Sequence, residues 1–481
     1  MDRDEPCEAK PAELTRALGP SMATAVVVGS VIGSGIFLKP GHIAADTGHF
    51  GVILFVWMLG GLLCALGALC FAELATMLPR AGGLYVYLRA AYGDLVAFLF
   101  GWTETLLARP ASTGALAVAF VGSLAVALDW KTSEWTQVVL ASLLVFGLAL
   151  VNILGVVWGG RMQLAVTLVK AGFLAFVMLS PLLLAPWSGW LVDAANYGTT
   201  VEPRQATWGA QLGAALLAVL WAYNGWEAVT PLAEEIKDPE RNLPLALFLG
   251  VGLLVVLYAG ANVAYHGVLS MEEMRAAGDH AAERMLERLA GPSGRLLMSA
   301  VIMCSTFGAI NTNLLYGPRV GFAMARDGLF FRSLAGVHAR FRSPVVAILL
   351  SASLAIVMMV AITWGKSTFR EVAVEDSARF YDRVVRSLQA DSTFDLLTNL
   401  VIFSLSVFYA LAVLAVILLR RRFPEWPRSY RTWGYPWTPA VFLVVYVWFL
   451  GQVYRGNPVE TRAGLGVLLA GVPAYWWFRR K

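Results

Sequence analysis

Nine residues, GSVIGSGIF at 29–37, put three glycines and two serines in the middle of an apolar run, 21–45. A helix of about 20 residues crosses a bilayer, so the run is long enough to span one. Each interior glycine costs a helix about 1 kcal/mol against alanine, which suits an unwound break better than a regular turn. In lipid a break is tolerated only where the freed backbone groups find partners in protein, water or a bound solute. The segment Ser30, Val31, Ile32, Gly33, Ser34, Gly35 therefore offers bare N–H groups to a ligand, with Ser34 and Gly35 the most exposed. Half-helix N-termini suit an anion such as a carboxylate, and the Ser30 hydroxyl can add to them. Close helix packing through small residues is the alternative use of these glycines. A second interruption, the turn dipeptide Asn224-Gly225, lies inside the apolar run 209–233. A kink without a ligand is the alternative there.

Ionisable residues within apolar runs are the other carriers of chemistry. Lys170 stands about ten residues into the run 162–186, near the bilayer midplane at roughly 1.5 Å per residue. A lysine at that depth costs about 2.5–3.5 kcal/mol and should have a partner, with snorkelling to an interface as the alternative. Glu104 and Glu227 suit a coupled proton, a cationic solute or pairing with Arg109, and a structural ion pair with Arg109 is the favoured reading. Asn311 and Asn313 suit either a ligand or hydrogen bonds between helices.

The elements that must position these residues follow from composition. Of 481 residues 58% are hydrophobic and 14% charged, against about 25% charged in soluble domains, so the chain is an all-α integral membrane protein. Twelve runs read as spans: 21–45, 50–77, 90–128, 135–155, 162–186, 209–233, 243–267, 296–324, 345–364, 396–419, 437–454 and 464–478. The third is too long to stand perpendicular and is expected to tilt. Lys and Arg favour the two tails and the joints after even-numbered spans, above all Arg420, Arg421, Arg422, Arg428 and Arg431, which puts both termini in the cytoplasm. That rule also accounts for the net charge of +5, which then implies no nucleic-acid partner. Trp187, Trp190, Trp208, Trp437, Trp476 and Trp477 lie near span ends as interfacial anchors. Cys7 lies in the N-terminal tail and Cys64, Cys70 and Cys304 in spans, which opposes a disulfide framework, and no Cys/His cluster calls for a metal. No cofactor is implied. Helices lying on the outer face are expected at 271–290 and within 369–388.

Spans 1 and 6 are both interrupted, and each opens a block of five. Matching interrupted helices in two halves point to the binding site of a secondary transporter. An odd number of spans per half inverts the second half. The expected organisation is a tail at 1–20, repeats at 21–186 and 207–420 with an outer insert at about 365–395, and two added spans at 437–478.

Five stretches carry a family resemblance: GSVIGSGIF, CFAELATMLPRAGGLYVYL from Cys70, WAYNGWEAVTPLAEEIKDPERNLPLAL from Trp221, FGAINTNLLYGPRVGFAMARDGLFF from Phe307, and PRSYRTWGYP at 427–436. The chain resembles the amino acid–polyamine–organocation superfamily, and within it the L-type amino acid transporter light chains and their bacterial relatives. The resemblance implies a LeuT-type fold and transport of amino acids by alternating access. It assigns the substrate ammonium to carbonyls of Val31, Trp221, Ala222 and Asn224, with Trp221 as the aromatic gate. It aligns Lys170 with a lysine that stands where sodium-coupled relatives of the fold hold a cation. The insert is longer than the family usually has. Light chains of animals are joined to a glycoprotein through a cysteine after the third span, whereas the loop 129–134, DWKTSE, has none, so no disulfide-linked heavy chain is expected.

These readings lead to sodium-independent exchange of neutral L-amino acids. Proton-coupled uptake of neutral or cationic amino acids or polyamines is the alternative, and a non-transporting sensor is the alternative of a different class. No nucleophile–base pair or nucleotide loop suggests an enzyme.

Overall fold

The computed structural model describes residues 14, 16–184, 192–372, 380–390, 392–456 and 458–480. Most of the N-terminal tail with Cys7, the pair Trp187 and Trp190, and 373–379 of the insert lie outside the described residues. Among the described residues ten helices are long and apolar enough to cross a membrane. The shorter apolar helix Trp208–Ala222 and the terminal helix Pro458–Arg479 complete the expected twelve. Leu143, Leu168, Val256 and Val444 are largely exposed on these helices, as side chains facing lipid should be.

Both expected breaks are present. Span 1 runs as Pro20–Val31, loses helical pairing over 32–34, and resumes as Gly35–Leu38 and Pro40–Thr47. Span 6 is Trp208–Ala222, then turns, then a 3-10 segment, Thr230–Glu235. Gly225 sits in that turn at φ +96°, a region that side-chain-bearing residues rarely adopt. Span 1 packs on spans 5 (Val156–Leu183), 7 (Pro239–Val268) and 8 (Pro292–Tyr316), so the broken helix lies inside the bundle.

Two expectations change in detail. The long third run is divided: Leu84–Tyr92 ends at Gly93, whose φ of +86° stops the helix, and the span proper begins at Asp94. It contains a π-helical turn, Glu104–Ala108, before continuing as Arg109–Ala127. The expected helix at 271–290 is likewise two, Met271–Ala277 and Ala281–Ala290, parted where Gly278 takes φ +53°. A Ser270–Glu273 capping box starts the first of them. Arg288, 2.8 Å from Glu273, holds that carboxylate down to about 2 and ties the two helices together. In the insert, Phe380–Ala390 docks through Val385 and through Ser387, 3.2 Å from Glu460 of span 12.

Candidate functional site

The two breaks face one another, and between them lies a chamber of about 20 Å³. Ser30, Val31, Gly33, Ser34 and Gly35 line it from span 1, and Trp221 and Asn224 from span 6. Gly35 begins the resumed helix, whose first N–H groups have no intrahelical acceptor. The glycines serve different ends. A Cβ on Gly35 would stand 2.4 Å from Ala222 Cα, and one on Gly225 would meet Ser30 Oγ at 2.2 Å, so both permit the two breaks to touch. A Cβ on Gly33 would meet the Leu116 side chain at 3.3 Å, Ala309 Cβ at 3.7 Å and Val31 O at 3.8 Å, with no overlap. Close packing and an open backbone are thus both present within one motif.

The freed carbonyls of span 1 are collected by three side chains. Buried Lys170 donates through Nζ to Gly29 O, to Ile32 O at 2.6 Å and to Ser305 O of span 8 at 3.2 Å. Ser305 Oγ lies 2.8 Å from Ile32 O and 2.9 Å from Gly33 O. The Tyr258 hydroxyl bridges Val31 O at 2.9 Å and Ala222 O at 3.0 Å, joining the two breaks from span 7. A carbonyl has two lone pairs, so Val31 and Ala222 keep capacity for a further donor.

Asn311 is not brought to the chamber. Its Oδ1 accepts from Asn152 at 2.8 Å and its Nδ2 donates to Gln163 Oε1 at 3.0 Å, which staples span 8 to spans 4 (Glu134–Ile153) and 5. Residues two apart on an α-helix point to nearly opposite faces, and it is Asn313 that lines the chamber. Ser112 and Leu116 of span 3 join it there, a pair that sequence reading missed. Their four-residue spacing was visible, but which face of span 3 turns inward was not.

Behind Asn313 lies a buried charge network. Arg109 donates to Glu104 Oε1, through Nε at 2.8 Å and also through its terminal nitrogen, and to Asn313 Oδ1 at 3.1 Å. The π turn produces this pair by bringing residues five apart onto one face. Arg109 also stacks 4.4 Å from the Tyr316 ring. Asn313 Nδ2 in turn donates to Ser112 Oγ at 3.0 Å, which leaves the Ser112 hydroxyl proton free to turn toward the chamber. Glu227 stands apart from the ion pair and accepts from the Tyr409 hydroxyl at 2.7 Å. Oε2 of Glu104 and Oε2 of Glu227 are buried without a hydrogen-bond partner among the described residues.

Beyond the chamber the two faces of the bundle are closed by ion pairs. On the arginine-rich face Glu235 meets Arg319 at 3.1 Å, Glu234 meets Arg326 at 2.6 Å, and Glu73 meets Arg420 at 2.6 Å and Arg428 at 3.4 Å. The stretch before span 1 is stitched into this face, Leu18 pairing with Ile236 and accepting from Lys237 N–H at 2.9 Å. On the opposite face Lys39 meets Asp395, at the start of span 10 (Thr393–Arg422), at 2.6 Å. The Phe394 ring packs edge-on to Trp221 at 5.9 Å.

Two interrupted helices around a chamber, in a bundle of apolar spans, describe a permease, and comparison with known proteins agrees. The Amino acid permease family model matches residues 18–472. The serine/threonine exchanger SteT of Bacillus subtilis is 32% identical over 97% of this chain and 98% of its own length. The large neutral amino acids transporter small subunit 2 of Homo sapiens is 29% identical over 96% of this chain and 80% of its own. The cystine/glutamate transporter of Homo sapiens is 26% identical over 99% and 88%. The match takes in both breaks, Lys170 and the ion pairs of both faces in one continuous stretch, and the chain belongs to the amino acid permease family, as a multi-pass membrane transporter rather than an enzyme.

Proposed function

We propose that the chain exchanges neutral L-amino acids across the membrane without sodium, with the arginine-rich face and both termini in the cytoplasm. The observation that carries this reading is Lys170. Its ammonium reaches carbonyls of spans 1 and 8 together, the place and ligand type that a structural cation would require. A second cation beside it is electrostatically opposed. The substrate carboxylate is assigned to the N–H groups of Ser34 and Gly35, and its ammonium to carbonyls of Val31, Trp221, Ala222 and Asn224. Ser112, Leu116 and Asn313 then face the side chain. This lining favours small or hydroxylated side chains, in keeping with SteT, a serine/threonine exchanger. A chamber of about 20 Å³ holds little more than one water, so loading requires Trp221 and the outer half of span 1 to move outward together. Asn311 is assigned to bracing. The cysteine-free loop 129–134 supports a carrier without a disulfide-linked heavy chain.

Proton coupling is the second reading, favoured by the unpartnered buried oxygens of Glu104 and Glu227. Uptake of radiolabelled L-threonine into proteoliposomes separates the two. Exchange requires internal amino acid and is indifferent to replacing sodium with choline. Uptake driven by an inward proton gradient into liposomes lacking amino acid selects the second reading, and a requirement for sodium removes both.

A further inference from the structure

Trp221 lines two cavities. Beyond it, on the side away from the chamber, a vestibule of about 640 Å³ opens among span 1, the approach to span 6, span 10 and span 11 (Trp437–Gly456). That volume falls within the range of roughly 300–1,000 Å³ typical of small-molecule sites.

What distinguishes the vestibule is charge left uncommitted. Lys39 is satisfied by Asp395, and His42 lies 2.8 Å from Asp279. Asp46 is only 8% exposed and lines the cavity, yet its carboxylate has no hydrogen-bond or ion-pair partner among the described residues. Arg204 is anchored beside it by its own N–H, which donates to Ala45 O at 2.8 Å, while its guanidinium stays without a partner among the described residues. Arg455, on the wall formed by span 11, is in the same condition. A carboxylate this buried, reached by solvent only through the cavity, gains by pairing with a cation. One negative and two positive groups that share a cavity without closing on one another match a solute that carries both charges. An ammonium fits Asp46, and a carboxylate fits the fork of a guanidinium.

We propose that the vestibule is a second amino-acid site, outside the Trp221 gate, in which Asp46 takes the ammonium and Arg204 and Arg455 take the carboxylate of an incoming zwitterion. This rests on the amino-acid reading above. Substrate docks there first and passes to the chamber when Trp221 and the outer half of span 1 swing away. The vestibule serves only one face, so its loss is felt from that face alone.

The test is exchange of L-threonine in proteoliposomes of uniform orientation, with KM measured separately for the external and internal sides. Asp46→Asn, an isosteric change, and Arg204→Gln, at an exposed side chain, are each expected to raise the external KM threefold or more. Internal KM and kcat stay within twofold of the parent, and Asp46→Glu recovers most of the loss. A purely structural role would lower kcat or shift both KM values together. An external KM that rises less than threefold, or a change equal on the two sides, overturns the proposal. If the parent protein exchanges no L-threonine, the amino-acid reading itself fails and this site falls with it.

Discussion

The two faces of the bundle are closed by different amounts of structure. On the arginine-rich face Glu73, Glu234 and Glu235 each hold a guanidinium, Glu73 two of them, and in Glu235–Arg319 both side chains are at most 1% exposed. On the opposite face the contact at the vestibule of about 640 Å³ is Lys39–Asp395, 8% and 24% exposed, and two further contacts there, His42–Asp279 and Arg288–Glu273, are 28% or more exposed on both sides. Removing one partner of a buried ion pair costs far more than loosening an exposed one. From this conformation the protein therefore opens more readily on the Lys39 face, past Lys39 and Trp221. The broken span 1 connects the two faces, because its inner half is stitched to the arginine-rich face and its outer half carries Lys39.

The variant with the largest expected effect removes the pivot that both faces share. Lys170→Ala leaves Gly29 O without its donor, at about 1–3 kcal/mol for the unsatisfied group, and leaves Ile32 O to Ser305 alone. Exchange in proteoliposomes should fall at least about tenfold, the equivalent of ~1.4 kcal/mol. Unchanged exchange would mean that the faces move without this brace. Next comes the thick seal itself. Glu235→Gln strands the buried Arg319 and is expected to cost ~3–5 kcal/mol of stability, read as a fall in the unfolding midpoint. A loss below about 1 kcal/mol would erase the asymmetry between the faces.

Gly35→Ala tests the contact of the two breaks, because its Cβ would overlap Ala222 Cα. It should abolish L-threonine binding, whereas Gly33→Ala, whose nearest neighbour is the Leu116 side chain at 3.3 Å, should keep measurable affinity. Equal behaviour of the two would count against their separate roles. Smaller still is the effect of the latch on the opposite face. Lys39→Met leaves Asp395 held by Ser392 at 2.8 Å, so a cost of about 1 kcal/mol or less is expected. Its signature is faster modification of a cysteine placed at Ala218 in the vestibule, and protection there would reverse the assignment of the weak side. Replacing 373–390 by a Gly/Ser bridge should change least. It spares Ser392 and Asp395, and exchange should match the parent. A loss would move the insert into the gating machinery.

Glycines at 29–35 and the pair Asn224-Gly225 announced the breaks because lipid offers unpaired backbone groups no partner, so residues that invite a break stand out in an apolar run. Lys170 was legible for the same reason, and Glu104 with Arg109 were legible as a pair although not as a π turn. Asn311 and Asn313 show the limit. Both are polar at depth, and only the packing of span 8 decides that one staples helices while the other faces the chamber.

Local chemistry, then, was determined by the sequence itself: membrane spans, two interruptions, an intramembrane cation and the family. Each follows from the cost of placing a given residue in hydrocarbon, a cost set by the residue and its near neighbours. Tertiary structure alone decided the partnerships at long range. Asp395 closes on Lys39 from 356 positions away, Tyr258 ties Val31 to Ala222, and Asp46 and Arg455 come to face one cavity. Such pairings depend on how each helix is rotated about its axis. In an apolar bundle that rotation is set by the summed packing of all its neighbours, which no local pattern records.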